Sequence, residues 1–184
     1  MRLHPPTVPV SSSRGTGPNP WHTNDMEIKI GLTAKERSGS AELLHNALAD
    51  AHVLYIKTRK YHWNIIGLQF SILHPFLEEQ YDALAMAIDE IAERSLMLGI
   101  QAPGTMAEFL ERARLKECTR TDLDAVGMLT NLLADHEAVI RQLREDISTC
   151  TDKLQDDGTA DFLTGLLEKH EKMAWMLRAH LQTR

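Results

Sequence analysis

The sequence has few of the features that mark secreted, membrane or nucleic-acid-binding proteins. Its two cysteines, Cys118 and Cys150, lie far apart and form no CxxC pair, so we expect free thiols in a reducing compartment. The start of the chain has no apolar segment of secretory type, and no apolar run approaches the roughly 18 residues that a membrane span needs. The formal net charge of −6 gives no general attraction for DNA. These absences predict a cytoplasmic protein without a membrane segment.

Proline and acidic residues are distributed unevenly, and this divides the chain into two parts. Five of the seven prolines lie in the first 20 positions, which excludes a helix there. The first 24 residues also contain Arg2 and Arg14 but no Asp or Glu. We therefore expect residues 1–27 to form a flexible tail and residues 28–184 to form one domain. That domain is poor in aromatic residues and rich in Ala, Leu, Glu and Met, a composition that favours helices.

Apolar residues in the predicted domain recur with helical spacing, and no segment alternates as a β-strand does. A first long helix is predicted from Thr33 to about Ile65 and a second from about Phe70 to Leu98. A short helix follows over 105–114. A third long helix is predicted to be capped by Thr121 and a fourth by Thr159. Four long amphipathic helices, with a short helix in the 99–121 connection, predict an all-α four-helix bundle.

Two histidines and three carboxylates form a candidate metal site around the second predicted helix. His62 ends the first helix, whereas His74, Glu78, Asp89 and Glu93 share one stripe of the second, within about 100° of arc. Imidazole and carboxylate ligands suit iron or zinc. Singly, a histidine of this kind is more often a buried core residue, and a carboxylate pair is more often a solvated helix face. Together they would be costly to bury without a cation.

The length of the second helix separates these ligands into two groups. His74 and Glu93 are nineteen residues apart, roughly 28 Å along a helix, so one metal ion cannot contact both. Either one chain holds two sites, or an antiparallel pair of second helices in a two-fold dimer unites the two ends. A di-iron site within one chain is a further alternative, but it needs carboxylate-x-x-His pairs on two helices. Only Glu42 to His45 fits that pattern, on a different face of the first helix from His62.

The segment from His62 to Arg94 resembles the ferroxidase motif of the Dps family, bacterial mini-ferritins named for DNA protection in starved cells. The matching pattern is HWN, a Gly three residues after that Asn, then F, L-H, F, E and finally D-x-x-A-E-R. The resemblance covers about residues 28–182. It implies a ferritin-like four-helix bundle with a short helix in the connection between helices 2 and 3. It further implies a hollow dodecamer built from two-fold dimers.

The resemblance also implies how the candidate ligands are shared. His62 and His74 would come from one subunit, and Asp89 and Glu93 from its two-fold partner. Glu78 takes a position that is usually Asp or Glu in the family, and its longer reach could alter the second metal position. The implied activity is oxidation of Fe(II), preferably by hydrogen peroxide, at two irons per site, with ferric mineral stored inside the shell. Zinc is a competing occupant of the same ligands that would inhibit turnover.

Further residues are assigned roles by the same resemblance. Trp63 matches the aromatic residue beside the site, where it either intercepts radicals or packs in the interface. Family members have acidic pores on three-fold axes near the start of the last helix. The candidates for such a pore here are Asp152, Asp156, Asp157 and Asp161. The alternative for these four residues is an acidic helix N-terminus stabilised by the helix dipole.

DNA binding is left open by the sequence. In the family it usually depends on basic flexible tails, and this tail offers Arg2 and Arg14 but no lysine, on a chain that is negative overall. Twelve tails on one shell would add by multivalency. The alternative function is therefore a structural DNA-compacting shell, associated with the nucleoid, with little ferroxidase activity. His22, Asp25 and Glu27 are a candidate extra metal site, although a solvated loop is the favoured interpretation.

Overall fold

The computed structural model describes residues 27–182, and over that range every regular element is a helix. The helices are α1 (Ala34–Asn64), α2 (Phe70–Met97), α3 (Met106–Arg112), α4 (Ala125–Leu154) and α5 (Asp157–Leu181). The pairs α1–α2 and α4–α5 form two hairpins, which meet through α1–α4 and α2–α5 contacts, while α3 packs on α1. This arrangement confirms the all-α four-helix bundle with a short helix in the long connection.

Residues 1–26 of the predicted tail, which include Arg2, Arg14, His22 and Asp25, lie outside the described residues. Within residues 27–182, no helix is both long enough and apolar enough to span a bilayer. Glu27 is described, and its carboxylate pairs with Lys29 at 3.0 Å.

Two of the predicted helix starts are confirmed by their capping geometry. Thr33 caps α1 and Thr105 caps α3, each through its hydroxyl oxygen, which accepts from the backbone N–H three residues later. Glu36 and Glu108 complete the two capping boxes by accepting from the backbone N–H of the respective threonine. These local contacts satisfy orphan amides of each first turn, which explains why the sequence alone located both starts.

The predicted caps of the last two long helices are wrong. Asp124, not Thr121, caps α4 and accepts from the N–H of Gly127 at 2.8 Å. Asp156, not Thr159, caps α5 and accepts from the N–H of Thr159 at 2.9 Å. In both cases a carboxylate replaces the predicted hydroxyl, and its charge interacts favourably with the positive end of the helix dipole.

The core of the bundle consists of aliphatic residues that are almost completely removed from solvent. Leu48 and Leu54 of α1, Leu84 of α2 and Leu143 of α4 are each at most 1% exposed. Each such side chain contributes roughly 1.5–3 kcal/mol by its burial. Both cysteines are free thiols, as predicted.

Buried polar contacts position the connection between α2 and α4 on the outside of α1. Asp50 accepts hydrogen bonds from the backbone N–H groups of Arg114 and Leu115, at 2.7 and 2.9 Å, and from the Arg114 side chain at 2.7 Å. Lys57 and Asp135 form a second buried ion pair at 2.6 Å, between α1 and α4. These bonds join α1 to the chain after α3 and to α4.

Candidate metal centre

The hairpin between α1 and α2 brings two of the predicted ligands together. α1 ends at Asn64, and the buried side chain of Ile65 anchors the chain as it leaves the helix. Gly67 has a φ of 106°, a conformation that a residue with a Cβ adopts only with strain. The resulting short turn starts α2 at Phe70 and places the last turn of α1 beside the first turns of α2.

His62 and His74 form a reciprocal pair across this hairpin. Nδ1 of His62 donates to the backbone carbonyl of His74 at 2.8 Å, and Nδ1 of His74 donates to the carbonyl of His62 at 2.9 Å. The two rings are stacked with centroids 3.7 Å apart and planes 23° from parallel. The carbonyl of His62 is available because it lies in the last turn of α1, where carbonyls have no intrahelical donor.

These two hydrogen bonds determine the tautomer of both rings. A carbonyl oxygen can only accept, so the proton of each neutral imidazole resides on Nδ1. Each Nε2 therefore carries a lone pair that is free to bind a metal ion. Fixing a histidine ligand by a bond from its other nitrogen to a backbone carbonyl is the usual way in which proteins orient metal-binding imidazoles. The pair is thus prepared to bind a metal through both Nε2 atoms.

Aromatic rings and one carboxylate surround the pair. Tyr81 contacts His62 edge-on with centroids 5.2 Å apart, and Phe70 stacks on His74 at 4.8 Å. The hydroxyl of Tyr81 donates a long hydrogen bond of 3.4 Å to Glu78. His62 is buried, His74 is half-buried and Glu78 is exposed. The sequence did not single out Phe70 and Tyr81 as neighbours of the pair; the three-residue spacing from Glu78 to Tyr81 was the available signal.

The structure does not bring the remaining two candidate ligands to this pair. Asp89 and Glu93 are both exposed on the C-terminal half of α2. Asp89 is fifteen residues beyond His74, which corresponds to roughly 22 Å along the helix. Within residues 27–182 of one chain, no group of three His, Cys, Asp or Glu side chains is arranged to hold a metal ion. The predicted ligands are therefore separated into a histidine half and a carboxylate half.

Trp63 follows the first histidine and lies on the surface. Its side chain is 63% exposed, and the guanidinium carbon of Arg59 lies 5.0 Å from its ring centroid. The same guanidinium is 5.4 Å from the ring of Tyr55 and 5.5 Å from that of Tyr81. Arg59 thus links the exposed tryptophan to the tyrosine that contacts His62.

The four candidate pore residues differ in their environments. Asp152, Asp157 and Asp161 are exposed around the junction of α4 and α5, whereas Asp156 is buried. The Asp156 carboxylate caps α5 and pairs with Arg94 at 3.3 Å. Burial alone would raise the pKa of Asp156, but hydrogen bonds from Thr159 and the charge of Arg94 lower it below its usual value. The Asp156 carboxylate is thus already bonded at the start of α5, unlike the three exposed aspartates.

A second histidine pair lies inside the bundle, between α4 and α5. Nδ1 of His136 and Nδ1 of His170 are 3.0 Å apart, and each residue is 1% exposed. Burial, assisted by the charge of Lys169, lowers the pKa of His170 to about 4. Burial and its neighbour His170 likewise hold the pKa of His136 well below the ordinary value. Both rings are therefore neutral at pH 7.

Comparisons with known proteins agree with the helical fold. The ferritin-like domain family matches residues 41–184. A low temperature-induced protein of Nostoc is 49% identical over 155 residues, which cover 84% of this chain and 87% of that protein. DNA protection during starvation protein 2 of Bacillus anthracis is 38% identical over 140 residues, which cover 76% of this chain and 94% of that protein. The Dps protein of Vibrio cholerae, described as a ferritin-like diiron-carboxylate protein, is 33% identical; the match covers 87% of this chain and all of that one, with a TM-score of 0.79. On this sequence and fold similarity, the chain belongs to the Dps family of ferritin-like proteins.

Proposed function

We propose that this protein oxidises Fe(II) at a site shared between two subunits and stores the ferric product inside a shell of twelve copies. The proposal rests on the observation that one chain holds only part of a metal centre. His62 and His74 present two oriented Nε2 lone pairs, yet the carboxylates that would complete the site lie about 22 Å or more away along α2. A second copy supplies what one chain lacks.

Two-fold symmetry accounts for this separation economically. When two α2 helices lie antiparallel, the His74 end of each helix meets the Asp89–Glu93 end of the other, and two equivalent sites form. The surface beside the histidine pair also supports an interface. Ile66 and Leu68, in the turn after α1, are 83% and 105% exposed, an unusual position for large aliphatic side chains in a monomer.

The ligand set explains the direction of the reaction. The imidazoles of His62 and His74 suit Fe(II), and the carboxylates of Glu78, the partner's Asp89 and the partner's Glu93 stabilise Fe(III). In the proposed reaction two Fe(II) ions each lose one electron and hydrogen peroxide gains two. The O–O bond breaks, and two protons complete two water molecules. Because both electrons arrive together, no hydroxyl radical is released.

Iron entry and DNA protection are further parts of the proposal. Asp152, Asp157 and Asp161 remain exposed near the start of α5 and are the proposed lining of an acidic entry pore. The relative in Bacillus anthracis is named for DNA protection. We propose that this chain protects DNA mainly by removing Fe(II) and peroxide, since its net charge of −6 disfavours tight DNA binding. Retention of DNA in a low-salt gel by a His62→Ala variant would instead favour the compacting-shell alternative.

Complementation between two inactive variants tests whether the site is shared. His62→Ala and Asp89→Ala shells, each assembled alone, should oxidise Fe(II) with peroxide no faster than buffer does, as followed by ferric absorbance and peroxide consumption. When the two chains are co-expressed in equal amounts, a site is intact if its histidines come from one variant and its carboxylates from the other. Random pairing makes about one quarter of the sites intact, so about a quarter of the wild-type rate should return.

The same experiment distinguishes the alternatives. If each site lay within one chain, every chain in the mixture would carry a defect and the rate would stay at the background level. A Glu79→Gln variant removes an exposed α2 carboxylate outside the ligand set and should retain full activity. Light scattering should give twelve times the mass of the 20.8 kDa chain, and a monomer would contradict both the shell and the shared site.

A further inference from the structure

Methionine is concentrated in a groove between α2 and α5. The groove has a volume of about 340 Å³, and its apolar lining consists of Ala83 and Met86 from α2 and Met173 and Met176 from α5. Three of the eight methionines of the chain therefore line one groove. Among the described residues no leucine, isoleucine, valine or phenylalanine lines it, although leucine is the commonest residue of the core.

Contacts at both ends of the α2–α5 pair determine how the two helices are aligned. The ring of Phe76, in the N-terminal half of α2, lies 4.5 Å from that of His180, near the end of α5. Arg94, near the end of α2, donates to the hydroxyl oxygen of Thr159, near the start of α5, at 3.1 Å. The two helices are therefore antiparallel, and their register is defined along their length.

This register brings the three methionines to one level of the bundle. Interpolation between the two end contacts places Met173 opposite Ala83. Met86 is three residues beyond Ala83, and Met176 is three residues beyond Met173, so the three backbones span roughly 9 Å along the axis. Residues three apart share a helix face. Because a methionine side chain has three rotatable bonds, the three sulfurs can approach one point in the groove.

The exposure of these side chains gives an ion a route to the sulfurs. Met173 is 7% exposed and forms the floor of the groove, Met176 is half-buried and Met86 is 64% exposed. A methionine that only fills the core is buried throughout, as Met128 of α4 is, with 7% exposure. The groove thus combines a buried thioether with one that solvent reaches.

The charged residues of the groove do not favour a hard cation. Glu79 supplies the one carboxylate of the lining, whereas Ca²⁺ and Mg²⁺ need several oxygen ligands. Lys169 and Lys172 also line the groove, but Lys169 is paired with Glu90. The charges of the two lysines are therefore offset by two glutamates, and the sulfurs are the remaining ligands.

Thioether sulfur is a soft, uncharged ligand, and soft sulfur ligands select Cu(I) among the common metal ions. We propose that the methionine groove between α2 and α5 binds one Cu(I) ion through the sulfurs of Met86, Met173 and Met176. Met86 is twelve residues beyond His74 on α2, which corresponds to roughly 18 Å. The copper site is therefore separate from the proposed ferroxidase centre.

Anaerobic titration of the full-length assembled protein with Cu(I), against a chromophoric Cu(I) chelator, tests this proposal. The half-buried thiol of Cys118 and the imidazole of His62 are also ligands for Cu(I), so the Cys118→Ser/His62→Ala protein is used; Cys150 is 0% exposed. We expect one bound Cu(I) per chain. Its affinity should be the same at pH 6 and pH 8, because a thioether has no proton to lose, unlike histidine or cysteine.

Two leucine substitutions in this protein locate the ion on α2. Met86→Leu removes one ligand and should weaken Cu(I) binding at least about tenfold, since the loss of an outer contact alone costs 10–100-fold. Met97→Leu removes a methionine of the same helix that is 60% exposed but outside the groove, and it should change the affinity less than about twofold. Leucine and methionine are similar in volume, so both variants should fold.

X-ray absorption at the copper edge identifies the ligand atoms. In protein produced with selenomethionine, copper should have selenium neighbours in place of sulfur. Copper with only sulfur or nitrogen neighbours in that protein would overturn the proposal. Failure to retain one Cu(I) per chain through gel filtration would also overturn it. Equal affinities of the Met86→Leu and Met97→Leu proteins would show that the methionines of the groove serve packing alone.

Discussion

The bundle contains two histidine pairs, with ring centroids 3.7 Å apart in one and 5.1 Å apart in the other, and their environments differ. In the α1–α2 pair each Nδ1 donates to a backbone carbonyl, and both Nε2 atoms remain free. In the α4–α5 pair the two Nδ1 atoms face one another at 3.0 Å. The first pair lies beside a surface with an exposed carboxylate, Glu78, whereas the second is sealed in the core.

The difference shows that the partner of Nδ1 and the degree of burial, rather than the presence of two histidines, decide what such a pair does. His62 and His74 satisfy their donors locally, so their lone pairs are available for a metal ion. His136 and His170 can satisfy each other only while one ring donates and the other accepts. The first pair is suited to ligation, and the second to holding α4 against α5.

The largest expected effect is the loss of metal binding when the α1–α2 pair is broken. Zn²⁺ serves as a redox-inactive probe of the same ligands. His74→Ala should lower Zn²⁺ affinity at least about 100-fold, since the change removes a direct ligand rather than an outer contact, whose loss alone costs 10–100-fold. Titration calorimetry of the assembled protein measures this affinity, and bound zinc should also inhibit iron oxidation.

The exposed histidine of α5 supplies the control for that measurement. His180→Ala removes an imidazole from the last turn of α5 and should leave Zn²⁺ affinity within about twofold of the wild type, because the residue is outside the proposed ligand set. Comparable losses in the His74 and His180 variants would mean that zinc binds nonspecifically to surface imidazoles.

Breaking the buried pair should instead lower stability and leave the chemistry intact. His170→Ala opens a cavity and leaves Nδ1 of His136 without its partner, at a cost of about 3 kcal/mol. At matched protein concentration the melting temperature should fall by about 6–12 °C. The rate of iron oxidation per folded subunit should be unchanged. A normal melting temperature would show that the pair contributes nothing to the α4–α5 contact.

The buried pair should also make the protein sensitive to mild acid. The pKa of His170 is about 4 in the folded protein and near 6.5 when unfolded, so the unfolded chain binds more protons between these values. Stability is therefore fully present above pH 6.5 and decreases as the pH falls towards 4, by about 2 kcal/mol between pH 7 and pH 5. Urea unfolding at a series of pH values measures this slope.

A non-titrating pair provides the comparison for the acid effect. The double variant His136→Gln/His170→Gln keeps side chains that can hydrogen-bond but cannot gain a proton near pH 5. Its stability should depend less steeply on pH between 5 and 7, and the remaining slope should come from His45 and His52, whose pKa values are also lowered by burial. The capping carboxylate of Asp156 does not contribute to this pH dependence. Its pKa is lowered, so its contribution to stability is lost only at more acid pH.

Much of the fold could be predicted because its signals are local. The helical spacing of apolar residues located all four long helices, and the Thr33 and Thr105 capping boxes marked two starts within a few residues. Where several polar residues compete, local rules were insufficient. Thr121 and Asp124 both precede the same apolar row, and only the folded chain shows that the aspartate caps the helix. The apolar spacing of α4 also predicted Leu133 in its core row, whereas Leu132 and Val139 are buried in the structure and Leu133 is only half-buried.

The sequence predicted the candidate ligands and their separation along α2, but not the orientation of their side chains. The axial distance from His74 to Glu93 was enough to indicate two half-sites, because helix rise does not depend on tertiary contacts. The orientation of the two imidazoles could not be obtained in this way. It depends on the carbonyl left free at the end of α1 and on the turn at Gly67, which together bring His62 and His74 into contact.

The smallest expected effect tests whether backbone carbonyls alone orient the α1–α2 pair. Partial burial and the charge of Glu78 raise the pKa of Tyr81, so its hydroxyl stays protonated and donates to Glu78, but at 3.4 Å the bond is weak. Tyr81→Phe keeps the ring edge against His62 and loses only this bond. The rate of peroxide-driven iron oxidation should fall by no more than about twofold, and Tyr55→Phe, which removes a neighbouring hydroxyl that accepts from Arg59, should match the wild type. A tenfold loss in Tyr81→Phe alone would show that the phenol takes part in the reaction, and the two histidine pairs would then differ in their chemical neighbours as well as in their hydrogen bonds.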